Sequence, residues 1–267
     1  MIPPVSVQET LVAQLDGLLE NVQRLESLYN RKLAALDELK KSVLHQAFCG
    51  ELMATKVVII PFPATLPNIS TTDLHAGILA LAFQQHEANG RLDLFTHVKA
   101  EKIAHMVEAR LGIDLGRTPV KDAAGPNDFP HLKKVEHRAR MANHFDFKRV
   151  PGSAYRVHKL AGFDRLVEKT RTALGDRRGE VEEFLKWMLP LNVQQAEIVA
   201  TIYAAWNNLL LDGKWPTDEE IVLESRENWH PDKLKIDRDK FFTALGWMRD
   251  QNVIPEGKGR RVLAKGE

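Results

Sequence analysis

The sequence predicts a mainly α-helical protein: a long N-terminal coiled-coil helix followed by two winged-helix-like domains, each with a small β-hairpin. Two observations predict this class, a heptad pattern of apolar residues near the N-terminus and an order of helices that occurs twice in the remainder. We expect five segments: a coiled-coil helix over 1–53, a linker over 54–72, a first winged-helix-like domain over 73–160, a helical connector over 161–190 and a second such domain over 191–267.

The N-terminal helix is predicted from a capping box and an apolar seam. Ser6 to Glu9 form the capping box, and Gly50 is a suitable stop. Apolar residues then alternate at spacings of three and four, as in the buried seam of a coiled coil, with Lys32 taking one position. The seam residues are Leu11, Leu15, Leu18, Val22, Leu25, Tyr29, Leu36, Leu39 and Val43.

A single seam cannot cover itself, and the chain has no second heptad segment to fold back on it. We therefore expect an intermolecular coiled coil, either with a second copy of the chain or with a different protein. The alternative is that the helix packs on the globular part of its own chain.

Residues 33–52, LAALDELKKSVLHQAFCGEL, resemble the C-terminal conserved helix of specificity (S) subunits of type I restriction–modification enzymes. Residues 2–16 resemble the lead-in to that helix, and Cys49 stands where the family commonly has a small hydroxyl residue. In that family two conserved helices form an antiparallel coiled coil, which spaces two target-recognition domains and docks the methyltransferase (modification) subunits. The resemblance covers only this helix and its lead-in, so we expect neither the first conserved helix nor a target-recognition domain in this protein. The resemblance implies an accessory or truncated specificity subunit that assembles through its coiled coil, without the family's reading of a bipartite DNA sequence.

The remainder of the chain repeats one order of elements: helix, Asn-Gly or Asp-Gly turn, helix, loop, helix and hairpin. This is the arrangement of a winged helix, in which a helix-turn-helix carries an appended hairpin. Proline residues at 61, 63 and 67 mark the preceding linker. The first copy has predicted helices at 74–86, 100–111 and 131–143 and strands at 145–147 and 155–158; the second has helices at 194–211, 218–224 and 238–251 and strands at 253–254 and 261–263.

The strongest local charge bias lies between Phe129 and Leu160, where only Glu136 and Asp146 oppose eight cations. In DNA-binding winged helices the third helix and the wing contact the major groove and the backbone. We therefore predict a DNA-binding role for Lys133, Lys134, Arg138, Arg140, Lys148, Arg149, Arg156 and Lys159, and for Lys258, Arg260 and Arg261 at the tip of the second hairpin. A solvated basic surface or a contact for an acidic protein is the alternative.

Four histidines in the same stretch, His131, His137, His144 and His158, are expected to add positive charge below neutral pH. They do not predict a metal site, because His131 and His137 lie on different faces of a helix and no cysteine is near.

No pattern predicts catalysis or a cofactor. The chain has no P-loop, dinucleotide turn or Ser/His/Asp order. A nuclease-like match can be formed from Pro231-Asp232 and Glu256-Gly257-Lys258, but we interpret it as chance because these residues fall in a loop and a turn rather than on adjacent strands. Aromatic residues such as Trp187, Trp206 and Trp247 are interpreted as core.

The composition is that of an ordinary globular protein and identifies no partner. The 267 residues are 44% hydrophobic, and 37 Lys and Arg nearly balance 36 Asp and Glu. The single cysteine cannot form an internal disulfide, which favours a cytoplasmic location. The longest apolar run, from Val57 to Phe62, is far shorter than the ~20 residues that span a membrane. We expect a non-enzymatic protein whose partners are itself or a methyltransferase subunit and possibly DNA, with no membrane.

Overall fold

The computed structural model describes Val22, Leu25, Glu26, Tyr29, Lys32, Leu33, Leu66, residues 68–149 and residues 155–265. The chain divides into two compact units, Met1–Ile59 and Ile60–Glu267. In the first unit, all six described residues are helical and exposed, and its apolar members Val22, Leu25, Tyr29 and Leu33 are 51–63% exposed. The seam positions Leu11, Leu15, Leu18, Leu36, Leu39 and Val43, with Cys49 and most of the predicted linker, lie outside the described residues.

The second unit is mainly helical, as the sequence predicted. Its first half contains α1 (Thr71–Ala88), α2 (His97–Leu111), α3 (Phe129–Met141), β1 (Phe145–Arg149) and β2 (Tyr155–Lys159). Its second half contains α4 (Phe163–Leu174), α5 (Arg178–Met188), α6 (Val193–Leu211), α7 (Asp218–Val222) and α8 (Arg238–Asp250). The sequence patterns placed each of the six helices predicted in the two copies within about three residues of its observed bounds.

Helices α1 and α6 are the central helices of this unit. Each is buried around most of its circumference, which fits their nearly continuous apolar sequences. Side-chain caps begin both: the hydroxyl of Ser70 accepts from the amide of Asp73, and Asn192 and Gln195 form a capping box. α1 packs on α2, α3, α4 and α5, whereas α6 packs on α2 and α8.

The two strands form one antiparallel hairpin, in which Phe145 pairs with Lys159 and Phe147 with Val157. The side chains of Phe145 and Phe147 are buried, so the hairpin rests on the core by one face. This confirms the first predicted hairpin, and its turn, residues 150–154, lies outside the described residues.

The second predicted hairpin was wrong. In the described part of the chain, residues 253–254 and 261–263 do not pair with each other. Instead, Leu263 forms a parallel bridge with Val120, and the amide of Lys121 donates to the Leu263 carbonyl at 2.8 Å. The side chain of Asn208 binds the main chain of Val262, the residue before Leu263. Its Oδ1 accepts from the Val262 amide at 3.0 Å, and its Nδ2 donates to the Val262 carbonyl at 2.8 Å. The backbone hydrogen bonds of this segment are therefore supplied by residues far away in sequence.

A single core runs through the second unit. One buried cluster includes Leu79 of α1, Val107 of α2, Val181 of α5, Ile202 of α6 and Phe241 of α8. The core thus continues across residues 160 and 190, where the sequence predicted boundaries between a domain, a connector and a second domain.

Buried charges attach the loop between α2 and α3 to this core. The fully buried Arg117 forms ion pairs with Glu101 and Glu108 of α2. Lys102, also on α2, donates to the carbonyl of Pro126 at 2.7 Å. These contacts fix loop residues 112–128 on α2. Val120 of this loop forms the parallel bridge with Leu263 of the C-terminal segment.

Candidate nucleic-acid interface

Helix α3 presents a basic surface to solvent. The helix begins at Asp128, whose carboxylate accepts from the amide of His131 at 3.1 Å, and Pro130 lies in its first turn. Its buried residues are Leu132, Val135 and Ala139. The 3.6-residue period places the opposite surface in water. We call that surface the α3 basic face; it consists of Lys133, Lys134, His137 and Arg140, all exposed.

Five of the eleven predicted DNA-binding cations form neither an ion pair nor a hydrogen bond among the described residues. Lys133 lies over the ring of Phe129, with its Nζ 4.9 Å from the ring centre, and Lys134 and Arg140 extend into solvent. Lys148 and Arg149 are exposed at the end of β1. Glu136, the one acidic residue of α3, is turned away and bonded to His97 of α2. Helix and hairpin together therefore carry unneutralised positive charge.

The other three cations of the first half make internal contacts. Arg138 pairs with Asp73 of α1 at 2.9 Å although its side chain is 54% exposed. Lys159 pairs with Glu87 and lies over the rings of Phe83 and Phe163. Arg156 donates to a main-chain carbonyl, that of Leu92. These contacts attach the third helix and the hairpin to α1 and to the turn that follows it.

The three predicted cations near the C-terminus are also engaged internally. Arg261 pairs with Asp212, and Lys258 with Glu256 at 2.7 Å. Arg260 donates to the main-chain carbonyl of Arg117 at 2.7 Å. Sequence reasoning treated them as the tip of a wing, whereas the structure uses them to anchor an extended segment.

Sequence reasoning missed two exposed cations on α4. Lys169 of α4 pairs with Asp73 at 3.2 Å, on the carboxylate that Arg138 also binds. Arg165 lies one turn earlier on α4 and is exposed. The signal was available, since two cations spaced by four residues lie on one side of a helix. It was overlooked because this segment was interpreted as a connector.

Two of the four histidines contribute less charge than expected. His131 is half-buried and its ring stacks on that of His75 at 5.3 Å. Burial lowers the pKa of His131. Burial also lowers the pKa of His144, which is 8% exposed. Both imidazoles therefore gain a proton only at a lower pH than a free histidine.

The described residues contain no metal-binding cluster, and the nuclease-like match is not assembled. No group of three or more His, Cys, Asp or Glu side chains in these ranges is arranged to hold a metal ion. Asp232 of the nuclease-like match pairs with Lys235, and Glu256 pairs with Lys258, so each acid is neutralised by a near neighbour in sequence. Trp206 is buried, and Trp187 and Trp247 stack at 4.6 Å against the core.

Among the described helices, none is both long and apolar enough to traverse a lipid bilayer. Comparisons with protein-family models, curated proteins and solved structures gave no significant match. Functional inference therefore depends on the residues and their geometry.

Proposed function

We propose that this protein is a non-catalytic, DNA-contacting subunit of a type I restriction–modification system, an accessory or truncated specificity subunit. It assembles through its N-terminal coiled coil and contacts DNA through a winged-helix-like unit formed by α1, α2, α3 and the hairpin. The observation that carries the DNA role is the α3 basic face, on which several exposed cations stand with no acidic partner among the described residues.

The order of elements supports this assignment. Three helices followed by an antiparallel hairpin is the order of a winged helix, whose third helix enters the major groove and whose wing lies along the backbone. Lys133, Lys134 and Arg140 occupy the third helix, and Lys148 and Arg149 the hairpin. Each cation that meets a phosphate releases condensed counterions, which is the main source of affinity in non-specific binding.

The assembly role is supported by the described part of the first unit. Three described residues occupy seam positions: Val22, Leu25 and Tyr29. All three are in helical conformation, and their side chains are more than half exposed. Such side chains lose contact with water when a second helix covers them, which favours association. The partner we propose is a second copy of the chain or a methyltransferase subunit, as the resemblance of residues 2–52 implies.

A binding comparison tests the DNA role. The triple variant Lys133→Ala, Lys134→Ala, Arg140→Ala removes the free cations of α3 without touching the Asp73 ion pair. The matched control, Lys186→Ala, Lys214→Ala, Lys240→Ala, removes the same charge from exposed lysines outside the proposed surface. By fluorescence anisotropy on a labelled duplex, we expect the first variant to bind much more weakly and the control to resemble wild type. Equal loss in both would show that only net charge matters. If the protein binds an acidic protein but not DNA, the alternative, in which the basic surface is a contact for an acidic protein, is favoured.

A further inference from the structure

The carboxylate of Asp73 forms ion pairs with cations of two helices, α3 and α4. Its Oδ1 lies 2.9 Å from the Nε of Arg138 on α3, and its Oδ2 lies 3.2 Å from the Nζ of Lys169 on α4. The Asp73 side chain is 8% exposed, whereas those of Arg138 and Lys169 are 54% and 48% exposed. The acid is therefore buried behind cations that remain open to solvent.

Arg165 extends this cluster. It lies four residues before Lys169 and is exposed on the same side of α4, about 6 Å along the helix axis at 1.5 Å per residue. In the described ranges, Arg165 has no acidic partner. Two cations thus pair with one buried carboxylate, and a third lies one helical turn away on α4, so the four side chains together carry a net positive charge at neutral pH.

The electrostatics at His144 support this proximity. Burial lowers the pKa of that imidazole, and the charges of Arg138, Arg165 and Lys169 lower it further. Asp73 acts in the opposite direction. His144 is only 8% exposed, and its Nδ1 has no hydrogen-bond partner among the described residues.

The ends of α3 and α4 are joined closely at this point. The amide of Gly162, which precedes α4, donates to the carbonyl of Asn143 at 2.7 Å. A Cβ at Gly162 would lie 2.9 Å from that carbonyl oxygen, so the approach requires glycine. The cations of α4 are therefore held at a fixed position beside those of α3.

We propose that Arg138, Arg165 and Lys169 form a second phosphate contact of the DNA surface, with Asp73 as an internal counter-ion that limits its strength. This proposal rests on the proposed DNA role and extends the surface from α3 onto α4. When a DNA phosphate approaches, Arg165 binds it directly, and Arg138 and Lys169 are shared between the phosphate and Asp73. The charge-assisted hydrogen bonds to Asp73 hold the Arg138 and Lys169 side chains in place. They also weaken the binding of these two cations to a phosphate, because Asp73 competes for them.

The test uses two variants with opposite expected effects. Arg165→Ala with Lys169→Ala removes two exposed cations and should weaken duplex binding several-fold, with the log–log salt slope reduced by up to about two. Asp73→Asn keeps the shape of the side chain but removes its charge, so it should tighten binding several-fold. A merely structural role of Asp73 does not produce tighter binding. Lys186→Ala with Lys214→Ala is the charge-matched control for the first variant.

The arms of this experiment separate the two proposals. If wild type binds and the α3 triple variant weakens binding, while the α4 double variant behaves as its control, the second phosphate contact is wrong and the DNA role stands. If Asp73→Asn binds DNA no better than wild type while folded by circular dichroism, the counter-ion role is wrong. If wild type does not bind DNA at low salt, both proposals are overturned.

Discussion

At the scale of single residues, the buried ionic groups were the least predictable feature. In the sequence, Glu101, Lys102 and Glu108 resemble the solvated face of an amphipathic helix, yet all three are buried against the loop that carries Arg117. Their partners are 7 to 27 residues away, and no local pattern indicates such a pairing. Burial raises the pKa of Glu108 against the opposing effect of Arg117. A buried pair of this kind is costly to break, because the remaining charge is left without a partner.

Replacing Arg117 should therefore destabilise the protein strongly. Arg117→Met leaves Glu101 and Glu108 buried without their cation, and we expect a loss of about 3–5 kcal/mol in the free energy of unfolding. Urea denaturation followed by circular dichroism measures it. Arg178→Met, which removes an exposed pair with Glu182, is the matched control and should cost less than about 1 kcal/mol. A similar small loss for Arg117→Met would contradict the role of the buried network.

Buried histidines predict a second effect at this scale, a loss of stability in mild acid. Burial, followed by the charge of Arg117, holds the pKa values of His75 and His105 well below the ordinary value, and burial lowers that of His86 to about 4. Between those values and about 6.5 the unfolded chain binds more protons than the folded protein. Stability should therefore fall as the pH falls below about 6.5, by up to ~1.4 kcal/mol per pH unit for each histidine.

Chemical denaturation at pH 7.5, 6.0 and 5.0 measures this dependence. The double variant His75→Met, His105→Met removes the two imidazoles whose pKa values lie well below the ordinary value while keeping apolar volume, so its stability should vary less with pH than that of wild type. An unchanged pH dependence in the double variant would show that these histidines are not the groups that take up protons on unfolding.

At the scale of elements, the helices were predictable because their signals are local. Asn192, Thr217 and Asp237 each cap a helix through the side chain, and each stands just before the apolar pattern that follows it. The first hairpin was also found, from two strands in order after α3. The C-terminal segment was misassigned because its partners, Val120 and Asn208, are more than fifty residues away in sequence. In addition, Gly257 and Gly259 are residues typical of a turn, and between two apolar runs they predict a hairpin. Of the basic surface, the sequence predicted the cations of α3 but not Arg165 or Lys169 of α4, because residues 161–190 were interpreted as a connector; the pairing of Lys169 with Asp73, 96 residues away, has no local signal.

Two glycines within helices provide a matched test of the packing between elements. A Cβ at Gly77 of α1 would lie 1.8 Å from the hydroxyl oxygen of Thr170 on α4, whereas a Cβ at Gly246 of α8 meets no atom within 4 Å. Gly246→Ala should stabilise the protein by about 0.5–1 kcal/mol through helix propensity. Gly77→Ala has the same propensity gain but should destabilise by about 1–3 kcal/mol because α1 and α4 must separate. Thermal or urea denaturation of both variants measures these changes in stability. Stabilisation by Gly77→Ala would contradict the close approach of α1 and α4.

At the scale of the whole molecule, we propose separate roles for the two units: assembly for the seam of the first and contact with DNA for the basic surface of the second. The continuous core from Leu74 to Val253 fixes the elements of the second unit in one body, so that the α3 basic face and the hairpin are presented together.

Assembly through the seam predicts a concentration-dependent mass. Wild type should be at least dimeric at micromolar concentration, and Leu18→Asp, Leu25→Asp, Leu36→Asp should dissociate it, because charges on the seam cannot be buried between helices. Sedimentation equilibrium measures both masses. A matched variant with three aspartates at off-seam positions, Gln14→Asp, Gln23→Asp and Asn30→Asp, should leave the mass unchanged. A monomeric wild type without an added partner would exclude self-association and leave the methyltransferase subunit as the proposed partner.

The central claim, contact with DNA through the basic surface, is tested most directly by the salt dependence of binding to two unrelated duplexes. Fluorescence anisotropy across a salt series should give equal affinities for both, at roughly 10⁻⁴–10⁻⁶ M near physiological salt, with log affinity falling linearly with log salt concentration. Each phosphate contact contributes about one to the slope, so the α3 triple variant should show a slope smaller by up to about three on both duplexes. No binding at low salt, or a slope that the triple variant leaves unchanged, would contradict the account.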